Sequence, residues 1–86
     1  MSSMVHIVVE RRFPEPLSLA ELQEVEKRMA SCLDLYRVRW LRSLWSADRR
    51  RMICEYEAPD AGAVREVQNQ AGASFEAVWS ADIRSP

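Results

Sequence analysis

Apolar and polar residues alternate along four short stretches of the chain, a pattern that predicts β-strands with two different faces. The first stretch, residues 5–13 (VHIVVERRF), is rich in β-branched residues and is followed by Pro14, which cannot donate a hydrogen bond to a sheet. Residues 37–45 and 51–58 show the same alternation, and the short polar connection between them predicts an antiparallel hairpin. Residues 75–83 are predicted to form the last strand.

Two segments between these strands carry the spacing of amphipathic helices. Ser18 and Glu21 form a capping-box sequence at the start of the first helix, which is predicted to fade near Asp34. Its apolar residues recur every three or four positions: Leu22, Val25, Met29 and Leu33. Asp60 is the predicted N-cap of the second helix, and Gly72 its C-terminal stop.

The order β-α-β-β-α-β predicts an α+β fold of the ferredoxin-like kind. In this arrangement a four-stranded antiparallel sheet carries both helices on one face, because both crossovers are right-handed. The chain of 86 residues is predicted to be one domain over residues 1–86, with its core at about residues 5–83. The helices can cover one face of the sheet only, so the other face must meet solvent, a ligand or a second subunit.

The apolar side of the first strand indicates which face the helices cover. Matching the hairpin to that side places Val38, Trp40, Leu44, Met52, Cys54 and Tyr56 inside. The open face then carries His6, Val8, Glu10, Arg12, Leu41, Ser43, Trp45, Ile53, Glu55 and Glu57. This mixture of carboxylates, imidazole, guanidinium and aromatic rings predicts a polar binding surface rather than an ordinary solvent-exposed one.

The candidate ligand-binding residues on this face are Glu10, Arg12, Ser43, Trp45, Glu55 and Glu57. His6, Glu10 and Glu55 are the candidate metal ligands, because imidazole and carboxylate suit a borderline divalent ion such as nickel, zinc or manganese. An alternative is that the carboxylates and Arg12 form cross-strand ion pairs beside an uninvolved His6. The sequence leaves this choice open.

Charge and composition exclude several other classes of function. The formal net charge is −1, so no strong field draws the protein to nucleic acid or membrane. Six arginines lie between Arg37 and Arg51, but the neighbouring strand carries Glu55 and Glu57 where an RNA-binding domain would present bases with aromatic rings, and nucleic acid is not predicted. No catalytic triad spacing and no glycine-rich phosphate loop is present.

Cysteine content and hydropathy indicate the cellular compartment in which the protein is expected. Cys32 and Cys54 are far apart and outside any CxxC pair, which predicts buried free thiols in a reducing compartment. We identify no signal peptide and no membrane-spanning run in the sequence. A cytoplasmic location is the resulting expectation.

The run Cys54-x-Tyr56-x-Ala58-Pro59-Asp60, followed by Val64-Arg65 and Ala71-Gly72, resembles the nickel-binding-protein-like family, a domain of unknown function. The likeness covers roughly residues 5–80. The resemblance implies a ferredoxin-like domain that pairs sheet against sheet into an α+β-barrel homodimer. It also implies a role with a divalent metal such as nickel, although the single histidine of this chain, His6, does not match a histidine-rich site.

Three hypotheses follow. The first is a small dimeric binding protein that holds a divalent metal or a small polar ligand in a cavity at the sheet face. The second is a cofactor-free enzyme, similar to isomerase or monooxygenase α+β barrels, with Glu10 or His6 as general base. The third is a regulatory or scaffold dimer without a ligand.

Overall fold

The computed structural model describes residues 3–86. The elements are β1 (Val5–Arg12), α1 (Leu19–Leu33), β2 (Arg39–Trp45), β3 (Arg51–Ala58), α2 (Ala61–Ala71) and β4 (Ala77–Ala81). The strands form one sheet in the order β2-β3-β1-β4, and all neighbours are antiparallel. This is the predicted ferredoxin-like α+β fold, with β1 and β3 at the centre of the sheet.

Both helices begin and end at the predicted signals. The Ser18 hydroxyl accepts a hydrogen bond from the Glu21 backbone N–H at 3.1 Å, and the Glu21 carboxylate accepts one from the Ser18 backbone N–H at 3.4 Å. At α2 the Asp60 carboxylate accepts a hydrogen bond from the backbone N–H of Ala63 at 2.8 Å. Gly72 ends α2 in the left-handed conformation, with φ of 67°, which glycine adopts without a steric cost.

Three strands are shorter than the alternation predicts. β1 ends at Arg12 rather than residue 13, β2 begins at Arg39 rather than residue 37, and β4 covers Ala77–Ala81 rather than residues 75–83. Arg37 has a φ of 59°, which is incompatible with an extended strand. The backbone therefore turns there, and the ladder of β2 starts two residues later.

The core lies between the sheet and the two helices, as the patterns of β1 and β3 predict. Its members are buried apolar side chains that alternate along the central strands and recur along the helices. They include Ile7, Val9, Met29, Val38, Met52, Cys54, Tyr56, Ala58, Val64, Val67 and Val78. The opposite side of the sheet has no helix over it.

A β-bulge in β2 changes which of its side chains face the helices. Pairing with β3 is regular at Trp40 and resumes at Arg42, so Leu41 is an extra residue in the ladder. A bulge of this kind interrupts the alternation of a strand. The faces of β2 beyond Leu41 are therefore the reverse of those that the sequence pattern predicts.

The predicted placement of Ser43 and Trp45 on the open face is wrong for this reason. Ser43 lies opposite Cys54 and Trp45 lies opposite Met52, on the side of the sheet that the helices cover. Leu44, which was predicted inside, lies on the open side and is 52% exposed. Arg42 and Leu44 therefore take the places on the open face that the alternation predicts for Ser43 and Trp45.

No helix of residues 3–86 combines the length and the apolar character needed to cross a membrane.

Candidate functional site

The open face is the side of the sheet that neither helix covers. Cross-strand partners share a face, so the ladder pairs define its membership. Its main residues are His6, Val8, Glu10 and Arg12 of β1; Ile53, Glu55 and Glu57 of β3; Arg42 and Leu44 of β2; and Trp79 of β4. The placement predicted for β1 and β3 is confirmed.

A cluster of three polar side chains, His6, Glu55 and Arg42, occupies one part of the open face. The Nε2 atom of His6 is 2.8 Å from Oε1 of Glu55, and both side chains are only 13% exposed. The Nε atom of Arg42 donates a hydrogen bond to Oε2 of Glu55 at 2.8 Å. Val8 lies directly opposite Glu55 in the ladder, so His6 reaches Glu55 as its diagonal neighbour across β1 and β3.

The electrostatics of this cluster keep Glu55 ionised. The hydrogen bond from Arg42 lowers the pKa of the Glu55 carboxyl group below its ordinary value, and the hydrogen bond with His6 lowers it further, while partial burial acts in the opposite direction. A carboxylate beside an imidazole can hold a cation or accept a proton.

Glu10, the third predicted metal ligand, does not join this cluster. Its Oε2 atom accepts a hydrogen bond from Nε1 of Trp79 at 2.7 Å. Glu10 and His6 are four residues apart on one strand, which separates their Cα atoms by about 13 Å. Within residues 3–86, no three His, Cys, Asp or Glu side chains are grouped closely enough to hold a metal ion.

The other two predicted charged ligands of the open face are Glu57, directly opposite His6, and Arg12, at the far end of β1. Glu57 is paired in the ladder with His6 on one side and with Arg39 on the other. Arg12 forms a 3.7 Å ion pair with Glu76, and both side chains are more than half exposed. Such exposed pairs contribute little to stability, and Arg12 is distant from the His6 end of β1.

Ser43 and Trp45, two of the predicted ligand-binding residues, make their contacts on the helix side of the sheet. The Ser43 hydroxyl accepts a hydrogen bond from Nε1 of Trp40 at 3.0 Å and donates one to Sγ of Cys54 at 3.1 Å. The guanidinium of Arg49 stacks 4.1 Å from the centroid of the Trp45 ring. Neither side chain contributes to the open face.

Sequence reasoning missed three residues of the open face: Arg42, Leu44 and Trp79. The bulge hides the first two, because strict alternation places them inside. Trp79 could have been found, since it is the residue after the buried Val78 in the last strand and must therefore point outward.

The fold and the site together define a class of protein. It is a ferredoxin-like α+β domain whose uncovered sheet face carries an ionised carboxylate beside an imidazole. Residues 8–80 match the family described as nickel responsive protein SCO4226-like. The chain belongs to this family, and the resemblance found in its sequence motifs is confirmed.

A solved structure supports the fold independently. The chain is similar to the crystal structure of SCO4226 from Streptomyces coelicolor A3(2), with a TM-score of 0.82 and 16% sequence identity. The similarity covers 93% of this chain and 99% of that chain. A comparison with curated proteins finds no match.

Proposed function

We propose that this protein is a small homodimeric binding protein for a divalent metal ion such as nickel, with the open face at the dimer interface. The family description names a nickel response, which supports this choice of ion. The observation that carries the proposal is the contact between His6 and Glu55, whose Nε2 and Oε1 atoms are 2.8 Å apart on the two central strands.

The spacing of this pair suits two adjacent ligands of one ion. Ligands bound at about 2.1 Å and at right angles to each other lie about 3 Å apart. To bind one ion, the imidazole would release the shared proton and turn so that Nε2 is directed at the metal instead of at Oε1. Borderline divalent ions accept this combination of nitrogen and oxygen ligands.

One chain supplies two metal ligands, whereas tight metal sites in proteins use three or four. A second copy related by a two-fold axis would present the same patch. Pairing two open faces would then supply two imidazoles and two carboxylates to a shared ion. The proposal consequently predicts about one bound metal per two chains.

Titration calorimetry with nickel on the tag-free chain tests this function. We expect saturable binding by the wild type and affinity at least tenfold lower for His6→Ala and for Glu55→Gln, because each removes one of the ligands. Glu10→Gln should retain its affinity, since Glu10 is held by Trp79. Glu24→Gln, an exposed position on α1, is the matched control for the loss of one negative charge.

Two results would contradict the proposal. If Glu55→Gln binds nickel as tightly as the wild type, the pair is not the site. A stoichiometry of one metal per chain that persists in a monomeric variant would exclude a shared site.

A further inference from the structure

Arg11 is a cation inside the protein, on the side of the sheet opposite the candidate metal site. Arg11 as a whole is only 7% exposed to solvent. Nη1 donates a hydrogen bond to the backbone oxygen of Ser74 at 2.9 Å. Nη2 donates hydrogen bonds to the hydroxyl of Tyr56 at 3.3 Å and to Oε1 of Gln68.

None of these acceptors carries a negative charge. Burial raises the pKa of Tyr56 to about 12, so its phenol is neutral at physiological pH. Within the described chain, no carboxylate forms an ion pair with Arg11. Buried charged side chains are seldom found without an opposite charge, because desolvation of the ion is costly.

Arg11 borders three cavities, and two of them also share Leu22 and Val25 of α1. The larger of these two, of about 150 Å³, lies at the ends of α1 and α2 and is bordered by Arg11, Phe13, Leu17, Leu22, Val25 and Ala73, together with Gly72 and Ser74. The smaller, of about 40 Å³, continues between α1 and the sheet and shares Arg11, Leu22 and Val25 with the larger. Each combines a mostly apolar wall with one buried positive group.

Helix α1 covers this space loosely. Leu22, Val25 and Leu33 of its apolar stripe are only partly buried, whereas Met29 is buried. A small apolar group between α1 and the sheet would complete the burial of the stripe without disturbing the central strands.

We propose that this crevice binds a small aromatic or branched monocarboxylate, with its carboxylate on the Arg11 guanidinium and its apolar part against Leu22 and Val25. Three of the five N–H groups of Arg11 are used by Ser74, Tyr56 and Gln68, so two remain to donate charge-assisted hydrogen bonds to a carboxylate. An apolar cavity of about 150 Å³ accommodates one benzene ring. Glu26 borders the smaller cavity, so a second negative charge on the ligand would be disfavoured.

Titration of the isotope-labelled chain with benzoate, followed by NMR, tests the assignment, with neutral benzamide as the matched probe. We expect saturable shifts of Leu22, Val25 and Ala73 with benzoate, and at least tenfold weaker binding of benzamide, because only the former supplies the missing charge. Signals of Val8 and Ile53 on the open face should not move. Glu55→Gln should bind benzoate as the wild type does, which separates this site from the metal site.

Two variants extend the test. Arg11→Gln should lose the preference for benzoate over benzamide. Val25→Phe fills the larger cavity from the side of α1 and should abolish benzoate binding while Arg11 is intact. Equal affinity for the two probes, shifts confined to the open face, or no saturable shift at millimolar benzoate would each overturn the proposal. The comparison of probes needs only the wild type, so it holds even if Arg11→Gln does not fold.

Discussion

Glu55 uses its two carboxylate oxygens for two different partners, and those partners differ in exposure. His6 is largely shielded together with Glu55, whereas the side chain of Arg42 is 69% exposed. The guanidinium therefore acts as a fixed positive charge at the edge of the cluster. Its removal should change the ionisation of Glu55 without removing a ligand.

Arg42→Gln should raise the pKa of Glu55 toward its ordinary value, because the largest cause of the lowered value is removed. A carboxyl group whose pKa is lowered by folding stabilises the protein above its unfolded-state pKa, and this contribution is lost as pH falls through the folded-state pKa. The wild type should therefore be more stable than the variant at neutral pH, by about 1 kcal/mol or less because the Arg42 side chain is mostly exposed. The difference should shrink on acidification to about pH 3.

An NMR titration of the Glu55 carboxyl group, together with urea denaturation at both pH values, measures this effect. Arg84→Gln in the exposed C-terminal tail is the control for the loss of one positive charge. An unchanged pKa of Glu55 in Arg42→Gln would show that the contact does not govern its ionisation.

Alternation in the sequence predicts that His6 and Glu55 point outward, but it does not predict that they touch. Their contact depends on the register of β1 against β3, which places Val8 opposite Glu55. A shift of one pair would separate them. Arg11 shows the same limit inside the protein. The alternation places it on the apolar face of β1 with Val9, but only the fold shows that no carboxylate among residues 3–86 forms an ion pair with it.

At the scale of elements, β2 is the least regular strand and the one that the sequence predicts least well. The other elements carry their own signals, such as the Ser18 capping box and the left-handed Gly72. β2 begins after the left-handed Arg37 and contains the extra residue Leu41. Nothing in a pattern of polar and apolar residues marks a bulge, because its position depends on pairing with β3.

The bulge leads to a prediction from two single-residue deletions. Deleting Leu41 should leave a folded protein with an uninterrupted ladder, because Trp40 and Arg42 already pair with consecutive residues of β3. Deleting Ser43 should turn Leu44 inward and Trp45 outward, since a one-residue shift reverses every later side chain. Loss of the buried part of Trp45 should cost about 2 kcal/mol or more.

Thermal unfolding followed by circular dichroism compares the two deletions directly. The Leu41 deletion should melt within a few degrees of the wild type, and the Ser43 deletion clearly below it. If the Leu41 deletion is the more damaging of the two, the bulge supports the fold rather than being a tolerated insertion.

At the scale of the whole molecule, the protein is a broad two-layer slab with extents of 42 × 35 × 17 Å. One layer is the sheet and the other the two helices, so a large part of the surface is uncovered sheet. The order of elements is enough to predict this shape and the existence of an open face. The homodimer remains a prediction, because one chain cannot show what covers that face.

The composition of the open face supports pairing with a second copy. Leu44, Ile53 and Trp79 are 52%, 38% and 45% exposed there, and they border the charged cluster on one side. Clustered apolar side chains of this size on one surface are typical of an interface. A face of this breadth can supply the roughly 800 Å² per partner that a stable complex needs.

Leu44→Glu should convert the dimer to a monomer. The new carboxylate would face other acids, including Glu10 and Glu55, across the same interface, and burying it there without a cation is costly. Leu35→Glu is the matched control, because Leu35 is 73% exposed in the turn after α1 and lies outside the sheet. Light scattering coupled to size-exclusion chromatography should show a dimer for the wild type and for Leu35→Glu, and a monomer for Leu44→Glu.

If the metal is shared between two chains, the monomeric variant should also lose nickel binding although His6 and Glu55 are intact. A wild type that is monomeric at every concentration would remove the basis for both the interface and the shared site.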